Sequence, residues 1–259
     1  MSKDFYLHER ALAGYVEKDW YDHILKSDPR RPTFEFAPFE RGDLYSDYHE
    51  RLIEFLLAAA NKTDFKPRRL LEVGASLGRT FYETCKQIKS LESATLIEPS
   101  QLLFSEFGKI FEGGDIARVK VLKGNLQLEE VPLATGPIKT ACSAVQITRI
   151  NKPFQDIDVD SEKFDLVICS NVIDQCTDHL KLVDFLKQST APSGIVLLSG
   201  TYQWSDKYIG NAGDPVKDIN DLFDSRWTFL RETNISFRVR VYERYWMSFL
   251  SHVVAYQKS

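Results

Sequence analysis

The sequence lacks several things that would have decided its class at once. Cysteine is scarce: the four are Cys85, Cys142, Cys169 and Cys176, with no C-x-x-C pair. That excludes a disulfide scaffold and leaves reduced, buried thiols of a cytoplasmic protein. Positive charge is not in excess, with 33 Lys and Arg against 37 Asp and Glu and a net charge of -4. No basic stripe is interleaved with aromatics, so neither a nucleic-acid partner nor an RNA or protein substrate is expected. No apolar run is long enough to span a bilayer, and the first ten residues carry no apolar core of a leader. Internal repeats and low-complexity tracts are missing too. The one acidic run, Asp156-Ile157-Asp158-Val159-Asp160, alternates in the manner of a solvated loop, and no metal is assigned to it. What remains is a monomer or homodimer whose partner is a small molecule.

The chain has 259 residues, 43% of them hydrophobic, enough for one sizeable α/β domain with an extension. Its organising stretch is Leu70-Leu71-Glu72-Val73-Gly74-Ala75-Ser76-Leu77-Gly78-Arg79-Thr80. A short apolar run, an acid, a glycine turn and a helical pattern read as strand, tight turn, helix. Glycine permits the sharp turn and the close approach of a ligand. Further strands are expected at residues 94–97, 118–122, 164–169 and 195–199, with helices between them. Residues 234–256 alternate as a terminal hairpin. The fold class is therefore α/β, a Rossmann-like doubly wound seven-stranded sheet with a C-terminal antiparallel hairpin and an N-terminal helical cover. Residues 1–47 form that cover, residues 48–259 the main domain, and residues 127–162 an insertion on it. The cover is too aromatic for a disordered tail. As a lid, it would bring Tyr15, Trp20, Tyr45 or Tyr48 to the ligand.

A dinucleotide fingerprint needs G-x-G-x-x-G. Here the spacing is Glu72-x-Gly74-x-Ser76-x-Gly78, with an acid two residues before the first glycine. A carboxylate there repels a pyrophosphate but suits an amino group beside a sulfonium. The second strand ends in another acid, Glu98, placed to accept both hydroxyls of a ribose. These features favour S-adenosylmethionine over NAD.

From about Tyr48 onward the chain resembles class I S-adenosylmethionine-dependent methyltransferases. The matching pieces are Leu71 to Gly78, Glu98, Gly124-Asn125-Leu126, Phe164-Asp165-Leu166-Val167 and Pro192-Ser193-Gly194. It departs from the family at Ser76, usually glycine, and at Asn125, often an acid. A narrower resemblance is to the C-terminal methyltransferase domain of ovothiol-forming enzymes. It is carried by Gly78-Arg79-Thr80, Ser170-Asn171-Val172-Ile173-Asp174, Gly200-Thr201-Tyr202-Gln203-Trp204, and Glu243-Arg244-Tyr245-Trp246 with Ser251-His252. It implies N-methylation of a histidine-like imidazole. The alternatives are a natural-product O- or N-methyltransferase with an unrelated substrate, or a non-catalytic cofactor-binding partner.

The resemblance assigns Glu72, Gly74, Ala75, Ser76 and Gly78 to the methionine and ribose part of the cofactor. Glu98 and Pro99 fall at the ribose, Asn125 and Leu126 at the adenine, and Ser170 and Asn171 near the methionine part. Arg79 could bind a carboxylate through its forked guanidinium. On the substrate side, Asp174 would orient or deprotonate an imidazole N–H and Tyr202 would join it as a catalytic group. Tyr45, Tyr48 and Trp204 would bind the substrate. His252 is read as structural.

Overall fold

The computed structural model describes residues 9–27, 47–61, 63, 65–123, 127–158, 163–204, 215–242 and 245–259. The elements run α1 (Glu9–Ser27), α2 (Tyr48–Ala60), β1 (Arg69–Val73), α3 (Arg79–Gln87), β2 (Ser93–Ile97) and α4 (Gln101–Phe111). Next come β3 (Ile116–Lys123), β4 (Gln127–Ala134), α5 (Gly136–Cys142), β5 (Gln146–Ile150) and β6 (Phe164–Ser170). The chain ends with α6 (His179–Ser189), β7 (Thr190–Gly200), β8 (Trp227–Tyr242) and β9 (Tyr245–Lys258).

Side chains of the central strands alternate between two apolar faces, and both are buried. Leu70, Leu96, Leu166, Ile168, Ile195 and Leu197 point to one core. Leu71, Val73, Ile97, Val167, Cys169, Val196 and Leu198 point to the other. A sheet of this kind has to be covered on both sides. Helices α2, α3, α4 and α5 contribute to the first core, and α6 with short 3₁₀ turns to the second. The seven strands lie in the order β5-β2-β1-β6-β7-β9-β8. The first five are parallel, and β9 and β8 close the edge as an antiparallel hairpin. Strand order reverses between β1 and β6, so the crevice for a ligand opens at their carboxyl ends.

The third strand is a correction to the sequence reading. Residues 118–122 do form a strand, but β3 pairs only with β4, in a separate two-stranded sheet. The place beside β2 belongs to β5. The reason is visible in burial. β3 alternates exposed and buried residues, as a one-faced hairpin does, whereas β5, with sequence Gln-Ile-Thr-Arg-Ile, is a half-buried edge without an apolar run. The stretch 127–162 is thus not a single surface arm. It holds half of a hairpin, a helix and a sheet strand.

Above the carboxyl ends lies a cap. Helix α1 packs on β3, β4 and β8. Strand β9 pairs with β7 only from His252 onward, so the hairpin tip reaches past the sheet. Because α1 is enclosed on most sides, polar residues along it are buried and need partners. Glu17 supplies the main tie. Its carboxylate accepts from Arg240 Nε at 2.7 Å and from Leu122 N at 2.9 Å, and Arg240 Nη2 also bonds Glu17 Oε1. Arg240 Nη2 donates to Leu122 O at 2.6 Å as well, so α1, β3 and β8 are fastened at one point.

Candidate active site

At the end of β1 the chain turns through Gly74 (φ 79), Ser76 (φ 48) and Gly78 (φ 79) before entering α3. All three have left-handed backbone, which strains a non-glycine residue. A Cβ on Gly74 would also collide with Val172 Cγ2, so this glycine lets β6's exit loop close on β1's.

The N–H groups of this loop turn inward. Gly74 N and Ala75 N both donate to Ile97 O, at 2.9 and 3.0 Å, and Gly78 N donates to Ala75 O at 2.8 Å. Ser76 N donates to Glu98 Oε2 at 2.9 Å, and Ser100 N to Glu98 Oε1 at 2.8 Å. The N–H groups of Gly74, Ala75, Ser76 and Gly78 are thus taken up within the fold, and two carboxylates, Glu72 and Glu98, flank the turn. That arrangement disfavours a phosphate group. Pro99 is exposed between Glu98 and Ser100, which caps α4. At the end of β5, Asn151 donates to Glu98 O at 2.8 Å. It stands where the third sheet strand meets the crevice, and it was missed because residues 142–150 read equally as an extra strand or a helix. Asn125 and Leu126 lie outside the described residues, as does Tyr45.

Glu72 is 2% exposed, and its Oε2 has no hydrogen-bond partner among the described residues. Burial drives its pKa up to about 8, against the opposing bond from Thr80. A buried chain continues from Thr80. His49 Nδ1 meets Thr80 Oγ1 at 2.8 Å, and His49 Nε2 meets Asp19 Oδ1 at 3.0 Å. Asp19 also pairs with Lys18 at 3.0 Å. Burial alone would raise Asp19, but Lys18 and His49 outweigh it and hold its carboxyl at about 2. Burial lowers His49, against the opposing pull of Asp19.

Arg79 does not face the crevice, which corrects its expected role. It is 6% exposed and donates to Asp22 Oδ1 (2.7 Å), Asp19 O (2.5 Å) and Glu83 Oε1 (3.1 Å). With its fork consumed, it works as a latch for α1. Trp20 is a second latch: it is fully buried, and its Nε1 donates to Leu77 O at 3.3 Å. Tyr15 packs against the first core with Lys18 Nζ 5.2 Å from its ring centre, and burial raises its phenol.

Tyr48 is also corrected. It is 1% exposed, and its hydroxyl meets Ser170 Oγ and Ser199 Oγ at 2.9 Å each and Asn171 Nδ2 at 3.1 Å. Ser251 Oγ donates to Asn171 Oδ1 at 2.6 Å. Tyr48 therefore holds Ser170 and Asn171 (φ 55) in place rather than presenting itself to a substrate.

Asp174 is 1% exposed, and its Oδ2 accepts from Thr201 N (2.9 Å), Thr201 Oγ1 (2.7 Å) and Gln203 N (3.2 Å). Its Oδ1 has no partner among the described residues. It shapes the turn that carries Tyr202 (φ 57). Tyr202 Oη lies 2.7 Å from His252 Nδ1 and accepts from Ile219 N at 3.1 Å. Trp204 packs edge-on against His179 with ring centroids 5.0 Å apart. Among the described residues no group of His, Cys, Asp and Glu is arranged to hold a metal, and no helix is long and apolar enough to cross a membrane.

With this geometry in hand, comparison with known proteins places the chain. A family model described as a methyltransferase domain matches residues 44–241, and the chain belongs to that family. It is an S-adenosylmethionine-dependent methyltransferase. The plantazolicin methyltransferase BpumL, solved with a desmethyl substrate analogue and S-adenosylhomocysteine, is similar in fold. Its TM-score is 0.52 at 10% identity, over 97% of this chain and 96% of that one. The YcgJ protein of Bacillus subtilis gives 0.53 at 9% identity, over 81% and 99%. MccD gives 0.51 at 14% identity, over 81% and 97%. At such identities the likeness is one of fold. No curated protein matches the sequence.

Proposed function

We propose that the protein methylates a small heteroaromatic acceptor held under α1, between the carboxyl ends of β6 and β7, with a histidine-like imidazole nitrogen as the first candidate. The observation that carries the cofactor half is the inward turn of the glycine loop's N–H groups, with Glu72 and Glu98 beside it. A glycine loop whose N–H groups at 74, 75, 76 and 78 are taken up, and which two acids flank, fits a cationic donor better than a dinucleotide. Gly74, Ser76 and Gly78 would bound the methionine part. Glu98 would accept the ribose hydroxyls, since each carboxylate oxygen accepts more than one hydrogen bond. Asn151 would stand at the adenine.

When bound, the cofactor supplies an already activated methyl group. The protein's task is to hold the acceptor in line and keep water out. The enclosed α1, latched by Trp20 and Arg79, supports the second role. For the imidazole reading, the support is Asp174 Oδ1, a carboxylate oxygen without a described partner near the rim. Such an oxygen can hold one N–H and leave the opposite nitrogen to attack.

Calorimetry with S-adenosylmethionine and S-adenosylhomocysteine tests cofactor binding, with micromolar affinity expected. Turnover with isotope-labelled cofactor against imidazoles, phenols and thiols tests the acceptor. If Asp174→Asn retains cofactor binding and full turnover of an imidazole, the role given to Asp174 is wrong.

A further inference from the structure

A cavity of about 560 Å³ lies beside the crevice, bounded by Tyr202, Trp204, Pro215, Val216 and Lys217. The exit loop of β6 connects it to the glycine turn. Val172 packs where a Cβ of Gly74 would be, and Ile173 packs against Gly200, two residues before Tyr202. Its lining combines two aromatic rings, a proline and a valine with one cation. Planar apolar walls and a single ammonium group fit an aromatic ring that carries a carboxylate.

The wall at Tyr202 has a second property. Tyr202 Oη is 2.7 Å from His252 Nδ1, and His252 Nε2 is 3.2 Å from Glu232 Oε2. Asp218 also faces His252, at 4.0 Å, and Asp221 acts on Tyr202. Ile219 N–H already donates to Tyr202 Oη, so the phenol proton points to the imidazole. Burial raises the Tyr202 phenol, which keeps that proton on oxygen at neutral pH.

We infer that this cavity is the acceptor site, that it takes a planar aromatic acid bearing an ionisable hydroxyl or ring N–H, and that the acceptor's proton leaves through Tyr202 to His252. The inference rests on the methyltransferase reading given above. In the transfer, the acceptor's lone pair forms the bond to the methyl carbon, and the carbon–sulfur bond breaks with its electron pair left on sulfur. The acceptor's proton passes to Tyr202 Oη as the phenol proton passes to His252 Nδ1. The imidazolium then sits against Glu232 and Asp218. His252 and Glu232 are positioning residues, and Tyr202 is the group that touches the acceptor.

The test uses 4-hydroxybenzoate and its uncharged amide, 4-hydroxybenzamide, with the full chain saturated in S-adenosylhomocysteine. Calorimetry should give binding of the acid at least fivefold tighter than the amide. Lys217→Ala should remove that preference, and Trp204→Ala should weaken both about tenfold. The bound acid's absorbance should show phenolate at a lower pH than free acid does. Tyr202→Phe and His252→Gln should each abolish that shift. The proposal is overturned if acid and amide bind alike, if neither binds, or if the shift survives in His252→Gln. Cofactor calorimetry run alongside separates the two ideas. Loss of cofactor binding sinks the methyltransferase reading, whereas cofactor binding and methyl transfer to other acceptors without acid binding sink only this one.

Discussion

The tie between Glu17 and Arg240 should dominate the stability of the cap. Both residues are buried, at 4% and 2% exposure, and both also bond the backbone of Leu122. Arg240→Met takes from Glu17 the guanidinium that pairs with it, and Glu17→Met takes from Arg240 its carboxylate. Each should cost about 3–5 kcal/mol, because one partner of a buried ion pair is lost. The double variant removes both charges of the pair. It takes these partners from Leu122 N–H and C=O, at about 1–3 kcal/mol each, so at mid-range it should cost about 4 kcal/mol less than the summed singles. Urea denaturation of the four proteins, followed by tryptophan fluorescence, measures the cycle. Since Trp20 rides on α1 and bonds Leu77 O beside the crevice, S-adenosylhomocysteine affinity should fall in the single variants as well. Single costs under about 1 kcal/mol, or strict additivity, would refute the reasoning.

Four further outcomes follow from the glycine turn and its supports. Glu72 keeps its proton in the fold up to about pH 8, while its ordinary value is 4.5. The folded state therefore binds the extra proton between those values, and stability should fall as pH rises through that window, by up to about 1.4 kcal/mol per pH unit. Glu72→Gln should flatten this part of the melting-temperature profile, and an unchanged slope would exclude Glu72 as its source. Gly74→Ala should abolish cofactor binding by forcing Val172 away, whereas Ser76→Gly should stabilise the protein by about 0.5–1 kcal/mol. The second gain arises because Ser76 has left-handed backbone and a buried hydroxyl without a described partner. Tyr48→Phe should cost about 1–3 kcal/mol in urea denaturation by removing the buried hydroxyl that Ser170, Ser199 and Asn171 share. A loss below about 0.5 kcal/mol would mean the network repairs itself.

What the sequence made legible, and what it hid, has one physical origin. Strands buried on both faces must be apolar throughout, so β1, β2, β6 and β7 announce themselves, and with them the turns at their carboxyl ends. The glycine loop, Glu98 and the residues from Ser170 to Trp204 were found that way. An edge strand has no such obligation. Residues 142–150 therefore read only as an extra strand or helix, the place of β5 beside β2 was given to β3, and Asn151 was not singled out. Long-range pairing leaves still less trace. Arg79 reads locally as a free guanidinium at a helix start, and only the fold brings Asp22 onto it across 57 residues. Tyr48 reads as a lid aromatic until β6, β7 and β9 deliver the hydroxyls and amide that use its hydroxyl. His252 has the opposite history. As a lone histidine in a hairpin it reads as structural, and its chemistry depends on β9 lying beside β7, with Gly200 opposite it. Local pattern therefore announces the glycine turn and the acids beside it. The rim around Tyr202 and His252 is assembled by the hairpin from residues far apart in the chain, and there a single sequence says least.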